Sequence, residues 1–95
     1  MKQLVASKQF QKQLKKLPPQ IREKCVKTLK DFLIALETKQ IPQSFGFKKI
    51  NCDKYEIRVD IQIRIVMKAE GDTLVCHLVG NHDDVKRFLR EYRNK

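Results

Sequence analysis

The chain has 95 residues, enough for one domain and too few for two. Its formal charge is +10, from 21 Lys and Arg against 11 Asp and Glu, and 41% of its residues are hydrophobic. That apolar share excludes a disordered basic tail, and the excess positive charge favours a polyanionic partner. The longest apolar run is far too short to cross a membrane.

The three cysteines, Cys25, Cys52 and Cys76, form no CxxC pair and leave an odd one over. The first residues turn charged at once, unlike a signal peptide. We therefore expect reduced, mostly buried thiols in a cytoplasmic protein. His77 and His82 lack metal-ligand spacing with any cysteine, so no metal site is predicted.

The N-terminal half predicts a short edge strand at residues 4–6, followed by two helices. Ser7 offers an N-cap oxygen to the first helix, and Pro18-Pro19 ends that helix and begins the second. Apolar residues recur at helical spacing in both, so each helix needs a surface on which to bury one face. They are Phe10, Leu14 and Leu17, then Ile21, Cys25, Leu29, Phe32, Leu33 and Leu36.

Strict alternation from residue 55 to residue 67 predicts strand structure, because every odd position there is apolar. One strand of that length is unusual in a small domain, so a hairpin is expected. A three-residue turn at residues 60–62 pairs Val59 with Ile63 and keeps the apolar residues on one face. The even positions, which should then face outward, are Glu56, Arg58, Asp60, Gln62, Arg64 and Val66.

A third strand is predicted at residues 73–79, apolar on both faces and therefore central in the sheet. A last helix begins near His82 and buries Val85, Phe88, Leu89 and Tyr92. Residues 1–95 thus form a single α+β domain. An N-terminal strand and a helical hairpin pack on an antiparallel β-meander, with a short C-terminal helix, and the helices share one sheet face.

The predicted hairpin sets Arg58 directly opposite Arg64, with Cβ atoms roughly 5 Å apart. Two facing guanidinium groups repel each other unless an anion lies between them. One interpretation is that each pairs with its own carboxylate, Glu56 or Asp60. The other is that the pair binds a phosphate and stabilises the extra charge of a pentavalent transition state.

Proton-transfer groups are also available near this sheet edge. His82 follows the third strand and could protonate a leaving oxygen, or simply bond a backbone group at the helix start. His77, within the strand, is more typical of a packed sheet residue. Glu56 could accept the proton of a ribose 2′-hydroxyl, or pair with Arg58.

Further cations suit contacts with a nucleic-acid backbone. Lys48 and Lys49 precede the meander, and Lys54 opens it. Lys86 and Arg90 share a basic stripe on the last helix. Each run alone is typical of a solvated face, but together they would make phosphate binding salt-sensitive and independent of base sequence.

These residues resemble the RelE/ParE toxin superfamily over nearly the whole chain. The matching pieces are Leu14-Lys15-Lys16-Leu17-Pro18, Tyr55-Glu56-Ile57-Arg58-Val59, Ile63-Arg64-Ile65-Val66 and Gly80-Asn81-His82. The RelE/YafQ-like branch implies a toxin of a toxin–antitoxin system. The resemblance further implies a ribosome-dependent endoribonuclease that cuts mRNA in the decoding site by attack of the 2′-hydroxyl on the adjacent phosphate, without metal or other cofactor.

The resemblance also implies residue roles. Arg64 matches the arginine that steadies the phosphate, Arg58 a basic position one strand earlier, and His82 the slot of the proposed general acid. Glu56 occupies a position that is often lysine in the family. Lys86 replaces a usual aromatic residue, and it either contacts phosphate or supplies the acid.

Two alternatives stay open. A ParE-like protein would inhibit DNA gyrase with no catalytic residues of its own, and a weakened relative would only bind antitoxin or RNA. By resemblance, the partners are mRNA and a cognate antitoxin, whose acidic residues would meet the positive charge of this chain. No membrane partner and no small-molecule cofactor are expected.

Overall fold

A five-stranded sheet organises residues 3–93, the part of the chain that the computed structural model describes. The elements in chain order are β1 (Gln3–Ala6), α1 (Lys8–Lys16), α2 (Pro19–Thr38), β2 (Lys48–Asn51), β3 (Lys54–Arg58), β4 (Arg64–Glu70), β5 (Thr73–Gly80) and α3 (His82–Arg93), with a 3₁₀ turn at Gln43–Phe45. The strands lie in the order β1-β5-β4-β3-β2. Only the pairing of β1 with β5 is parallel. The predicted α+β architecture is confirmed.

The helical hairpin begins and turns as predicted. The backbone N–H of Phe10 donates to Ser7 Oγ at 3.1 Å, which caps α1. Pro19 then opens α2, where the missing N–H of proline has no cost. Lys39 ends that helix in the left-handed conformation, at φ 62°, with its N–H directed to carbonyls of the last turn.

The sheet follows the predicted hairpin and central strand, and it contains one strand that the pattern did not reveal. The turn at residues 60–62 joins β3 to β4, and β5 lies between β1 and β4. The missed strand, β2, forms the opposite edge. It has four residues and a bulge between Lys49 and Asn51, so period-two alternation never becomes visible there.

The main core lies between the sheet and the helices α1 and α2. Its fully buried side chains include Phe10, Phe32, Ile57, Ile65, Met67 and Leu74. A bulge in β5 shapes it: Val66 pairs with Leu78 but Met67 with Cys76, so His77 is the extra residue. The parity of β5 therefore changes there, and Val79 rather than Leu78 joins the core, contrary to simple alternation.

Two of the three cysteines are buried in this core. Burial raises the pKa of the Cys25 thiol to about 11, with a further contribution from the charge of Asp60. Burial alone raises that of the Cys76 thiol to about 12. Cys52 is exposed in the β2–β3 turn, and all three are free. The prediction of mostly buried free thiols is confirmed.

The helix α3 packs on the opposite face of the sheet, so the expectation that all helices share one face is wrong. Val66 and Val85 are buried, at 0% and 4% exposure, yet neither belongs to the main core. Val66 points away from its neighbours Ile65 and Met67, and α3 contacts β4 and β5. Phe88 and Leu89 are half-buried, and the side chain of Tyr92 lies outside the described residues. No helix among the described residues is both long and apolar enough to span a membrane.

Candidate phosphate-binding site

The predicted arginine pair is present on the α3 face of the sheet. Arg58 at the end of β3 pairs in register with Arg64 at the start of β4. Arg58 is exposed and has no hydrogen bond or ion pair with any residue between 3 and 93. The side chain of Arg64 is 18% exposed, and its Nε atom is buried without a hydrogen-bond partner among the described residues. Two cations therefore face each other with their hydrogen-bonding capacity largely unused.

The turn between the strands explains why Asp60 does not neutralise them. Asp60 Oδ1 accepts hydrogen bonds from the backbone N–H groups of Gln62, at 2.8 Å, and Ile63, at 2.7 Å. These bonds, above all the one from Ile63, hold the pKa of Asp60 below its usual value. Its other oxygen lies 3.9 Å from Lys24 Nζ. The Asp60 carboxylate is committed to the turn and to α2, and it forms no ion pair with either arginine.

A cavity of about 440 Å³ opens beside the pair. It is lined by Ser44, Arg58, Val59, Asp60, Ile61 and Arg64. Ile61, at the tip of the turn, is 88% exposed and forms an apolar rim. Ser44 and Ile61 were not predicted from the sequence, because neither residue type signals a phosphate site by itself.

Aromatic packing holds the wall of this cavity in place. The ring of Phe32 in α2 contacts those of Phe45 and Phe47, with centroids 5.4 and 5.2 Å apart. Between them, Gly46 adopts φ +58°, and a Cβ atom there would lie 3.5 Å from the Cβ of Arg58. The segment therefore runs directly along the Arg58 side chain, and its backbone conformation favours glycine.

Glu56, the predicted base, is not exposed to solvent as an open catalytic group would be. Its side chain is 5% exposed and lies between two cations. Glu56 Oε2 is 3.6 Å from Lys48 Nζ, and Oε1 is 4.0 Å from Arg64 Nε. Val66, the next residue of the even set on β4, is fully buried. The expectation of an even face looking wholly outward is therefore wrong, because α3 covers part of it.

The predicted phosphate-contacting lysines occupy three different environments. Lys48 projects from β2 on the same face as Glu56, with its side chain 64% exposed. Lys49 is exposed but pairs with Tyr55, which packs against the main core, so it belongs to the other face. Lys54 is buried, and its Nζ donates to Asp53 Oδ1 at 3.1 Å. That bond is the main reason why the pKa of Asp53 is lowered. Only Lys48 extends the arginine site into solvent.

The start of α3 is built by a reciprocal cap. Asp84 N–H donates to Asn81 Oδ1 at 2.8 Å, and Asn81 N–H donates to Asp84 Oδ2 at 2.9 Å. A Cβ atom on Gly80 would lie 2.6 Å from that same Asp84 oxygen, so glycine is required there. Gly80 pairs with Arg64, and His82 follows two residues later, exposed and without a partner among residues 3–93. The fold thus brings His82 to the end of the sheet that carries the arginine pair.

The remaining predicted residues lie elsewhere on the α3 face. Lys86 and Arg90, one helical turn apart and both exposed, line a separate cavity with β2. His77 has a buried Nε2 atom without a hydrogen-bond partner among the described residues, and burial is the main cause that lowers its pKa. No three His, Cys, Asp or Glu side chains within residues 3–93 are grouped closely enough to hold a metal ion.

Solved structures of toxins share this fold. The Escherichia coli DinJ–YafQ toxin–antitoxin complex has 19% identity over 90% of this chain and 98% of that chain, with a TM-score of 0.66. The RelB–RelE antitoxin–toxin complex from Methanococcus jannaschii has 22% identity over 88% and 96%, with a TM-score of 0.66. A copper-bound mutant toxin from Helicobacter pylori has 18% identity over 90% and 99%, with a TM-score of 0.60.

The chain therefore has the fold of the RelE and YafQ toxins, and the predicted resemblance is confirmed at that level. No protein-family model matches the sequence, and no curated protein matches it significantly.

Proposed function

We propose that this protein is the toxin of a toxin–antitoxin system and an endoribonuclease that cuts mRNA in the ribosomal decoding site of the cytoplasm. The observation that carries the proposal is the pair of arginines, Arg58 and Arg64, facing each other beside an open cavity. A protein that only binds another protein has no need to place two cations in mutual repulsion. A phosphate between them converts that repulsion into two charge-assisted contacts.

The arginine pair supports transesterification of an RNA phosphate. The ribose 2′-hydroxyl gives up its proton to solvent water as its oxygen forms a bond to phosphorus. The bond from phosphorus to the 5′-oxygen of the next nucleotide breaks, and that oxygen takes up a proton. The charge that builds up on the phosphate oxygens is stabilised by guanidinium groups already in position. This chemistry needs the 2′-hydroxyl and therefore selects RNA over DNA. It requires no metal ion.

Proton transfer to the leaving oxygen is assigned to residues of α3. His82 is exposed at the start of α3 and donates a proton to the departing 5′-oxygen. Lys86 is the second candidate for the acid. Glu56 lies between Lys48 and Arg64 and is nearly buried, which suits a positioning residue for Arg64 better than a base. Lys48 and Arg90 are exposed cations on the α3 face that contact the RNA backbone. Lys49 lies on the opposite face, and the contacts of Lys54 direct it to Asp53.

An antitoxin partner is part of the same proposal. Structures with this fold include a toxin–antitoxin complex and an antitoxin–toxin complex. The formal charge of +10 favours an acidic antitoxin, and added salt should slow the association of the two proteins.

The test is a primer-extension map of a translated mRNA treated with purified protein, with and without ribosomes. Cuts within codons that need ribosomes are expected from the wild type. Arg64→Ala and Arg58→Ala should lose the cuts while remaining folded. Arg87→Ala is the matched control, because Arg87 also carries one positive charge but lies near Asp84 on α3 and should cut normally.

Cleavage that survives Arg64→Ala would contradict the proposed mechanism. Folded wild-type protein that makes no cuts would contradict the activity itself. A gyrase supercoiling assay then tests the ParE-like alternative, and antitoxin binding alone would indicate a weakened relative.

A further inference from the structure

A cavity of about 580 Å³ lies between β2 and α3, apart from the arginine pair. Its lining consists of Ile50, Asn51, Lys86, Leu89 and Arg90. None of these residues lines the arginine cavity. Its volume falls within the range of about 300–1,000 Å³ typical of small-ligand sites.

The bulge in β2 orients two successive side chains, Ile50 and Asn51, towards this cavity. Lys49 pairs with Tyr55 and Asn51 with Lys54, so Ile50 is the extra residue. Neighbouring strand residues normally point to opposite faces, yet Ile50 and Asn51 both line the same cavity. Bulges commonly re-aim side chains at functional sites.

The lining combines three kinds of contact that suit a nucleotide. Ile50 on β2 and Leu89 on α3 are half-buried apolar groups able to contact the face of a base. Lys86 and Arg90 form no ion pair with a described residue and remain available to phosphate.

Asn51 supplies the third contact. Its Oδ1 atom accepts a hydrogen bond from the backbone N–H of Cys52 at 2.7 Å. Its Nδ2 group has no partner among the described residues and still has two hydrogens to donate. Asn51 can therefore donate to an acceptor on the edge of a base, and single-stranded RNA is the nucleic acid that exposes such edges.

The cavity lies on the same face of the sheet as the arginine site. Asn51 pairs with Lys54, four residues before Arg58 on β3, which corresponds to about 13 Å along the strand. Lys48 lies between the two sites, with its side chain 64% exposed. A short stretch of extended RNA bound at Arg58 and Arg64 would reach the cavity past Lys48, while the carboxylate of Glu56 on this path is nearly buried.

We propose that this cavity binds one nucleobase of single-stranded RNA, from a nucleotide flanking the phosphate at Arg58 and Arg64. The base packs between Ile50 and Leu89, Asn51 Nδ2 donates to its edge, and Lys86 and Arg90 contact the adjoining phosphate. Asn51 is then a specificity-determining residue of the toxin. This inference rests on the proposed function, which places an RNA phosphate at Arg58 and Arg64. The inference itself concerns binding, which can be measured without cleavage.

The test measures binding of short fluorescent RNA oligonucleotides that differ in one base and carry 2′-O-methyl groups, so that they cannot be cut. Anisotropy titrations at low salt compare the wild type with three variants. Asn51→Asp keeps the oxygen that bonds Cys52 but removes the donor, and Arg90→Gln removes one cation. Arg87→Gln is the matched control, since Arg87 lies in the cavity wall that faces α1 instead.

The wild type should prefer certain bases at one position of the oligonucleotide. Asn51→Asp should reduce that preference by about two- to tenfold, the usual worth of one hydrogen bond. Because the new carboxylate also weakens phosphate binding, the ranking of bases is the readout, and the uncharged Asn51→Ala should flatten the same ranking. Arg90→Gln should weaken all sequences equally and lower the salt dependence by about one charge. Arg87→Gln should bind as the wild type does.

The proposal is wrong if the wild type shows no base preference, or if both Asn51 variants keep its ranking of bases. It is also wrong if Arg90→Gln binds as tightly as Arg87→Gln. These outcomes are separate from failure of the proposed function. If the wild type never cuts mRNA but substitution of Asn51 removes its base preference, the base-binding cavity is supported and the nuclease function is contradicted. If cleavage needs Arg64 but both Asn51 variants keep the cut-site preference, the nuclease function is supported and base binding in this cavity is contradicted.

Discussion

The two faces of the sheet are built from the same strands and serve opposite purposes. On the face towards α1 and α2, Ile57, Ile65 and Met67 are fully buried in an apolar core. On the face towards α3, the residues next to them are Glu56, Arg58 and Arg64, and polar atoms there are buried or left without partners. Strand alternation alone separates the two, one residue at a time.

The apolar core on the face towards α1 and α2 therefore offsets the free-energy cost of the polar atoms buried on the face towards α3. Burying an unpaired polar atom is costly, and the α3 face contains two, Arg64 Nε and His77 Nε2. Departures from full satisfaction of polar groups concentrate at functional sites, where the surrounding structure holds them in place. A well-packed core beneath the sheet supports the arginine pair, in which Arg58 has no carboxylate partner among the described residues and Arg64 has Glu56 at 4.0 Å.

The largest loss of stability is expected from a cavity made in the core between the sheet and α2. Phe32→Ala removes a fully buried ring that contacts Phe45 and Phe47, and should cost about 3–5 kcal/mol of unfolding free energy. Urea denaturation measures the change. Ile34→Ala, two residues away and 58% exposed, should stay within about 0.5 kcal/mol of the wild type. Similar losses in both variants would mean that α2 does not bury the face described here.

A smaller effect is expected from removing the buried carboxylate on the other face. Glu56→Gln should lower the unfolding free energy by about 1–2 kcal/mol, less than for a fully buried ion pair, because Lys48 can turn to solvent. Denaturation compared with Glu37→Gln on the exposed surface of α2 tests this.

Cleavage by the same variant separates two roles of Glu56. A positioning role predicts a moderate loss of activity with an unchanged pH–rate profile. A role as the general base predicts a loss of about 10²–10⁴-fold together with an altered profile. The second result would restore the base assignment made from the sequence.

The next effect is the pH dependence of the unfolding free energy that His77, the extra residue of the β5 bulge, contributes. Burial lowers the pKa of His77 from 6.5, so the folded state favours the neutral imidazole; Glu70 opposes this shift, and Lys68 adds to it. The stabilisation is present above about pH 6.5 and is lost as the pH falls through the lowered pKa. The unfolding free energy should therefore decline below pH 6.5, and His77→Gln should flatten that decline. An equal decline in both proteins would assign the pH dependence to other groups.

The smallest stability effect is expected at the exposed arginine. Arg58→Ala removes no hydrogen bond or ion pair with a described residue, so unfolding free energy should change by less than about 0.5 kcal/mol. Inorganic phosphate, added at constant ionic strength, should raise the melting temperature of the wild type and not of this variant, since an anion that binds only the folded state stabilises it. Equal shifts in both would place phosphate binding elsewhere.

Local patterns were sufficient for most of the fold. Ser7, Pro18 and Pro19 marked the helix boundaries because capping and proline geometry depend on adjacent residues. Alternation from residue 55 to residue 67 located the hairpin, and its register followed because a shifted turn would have put apolar side chains in water. The bulges at Ile50 and His77 left no such signature, since one extra residue in a strand is visible only against its partner strand.

The sequence by itself thus determined the helical hairpin, the β3–β4 turn and the facing of Arg58 and Arg64, all of which depend on neighbours a few residues apart. Tertiary structure alone decided that α3 lies on the charged face and that Glu56 is enclosed between Lys48 and Arg64. It alone also brought Asn51 to the cavity beside Arg90. Each of these depends on contacts between distant segments, whose relative placement is set by the packing of whole elements and not by any local periodicity.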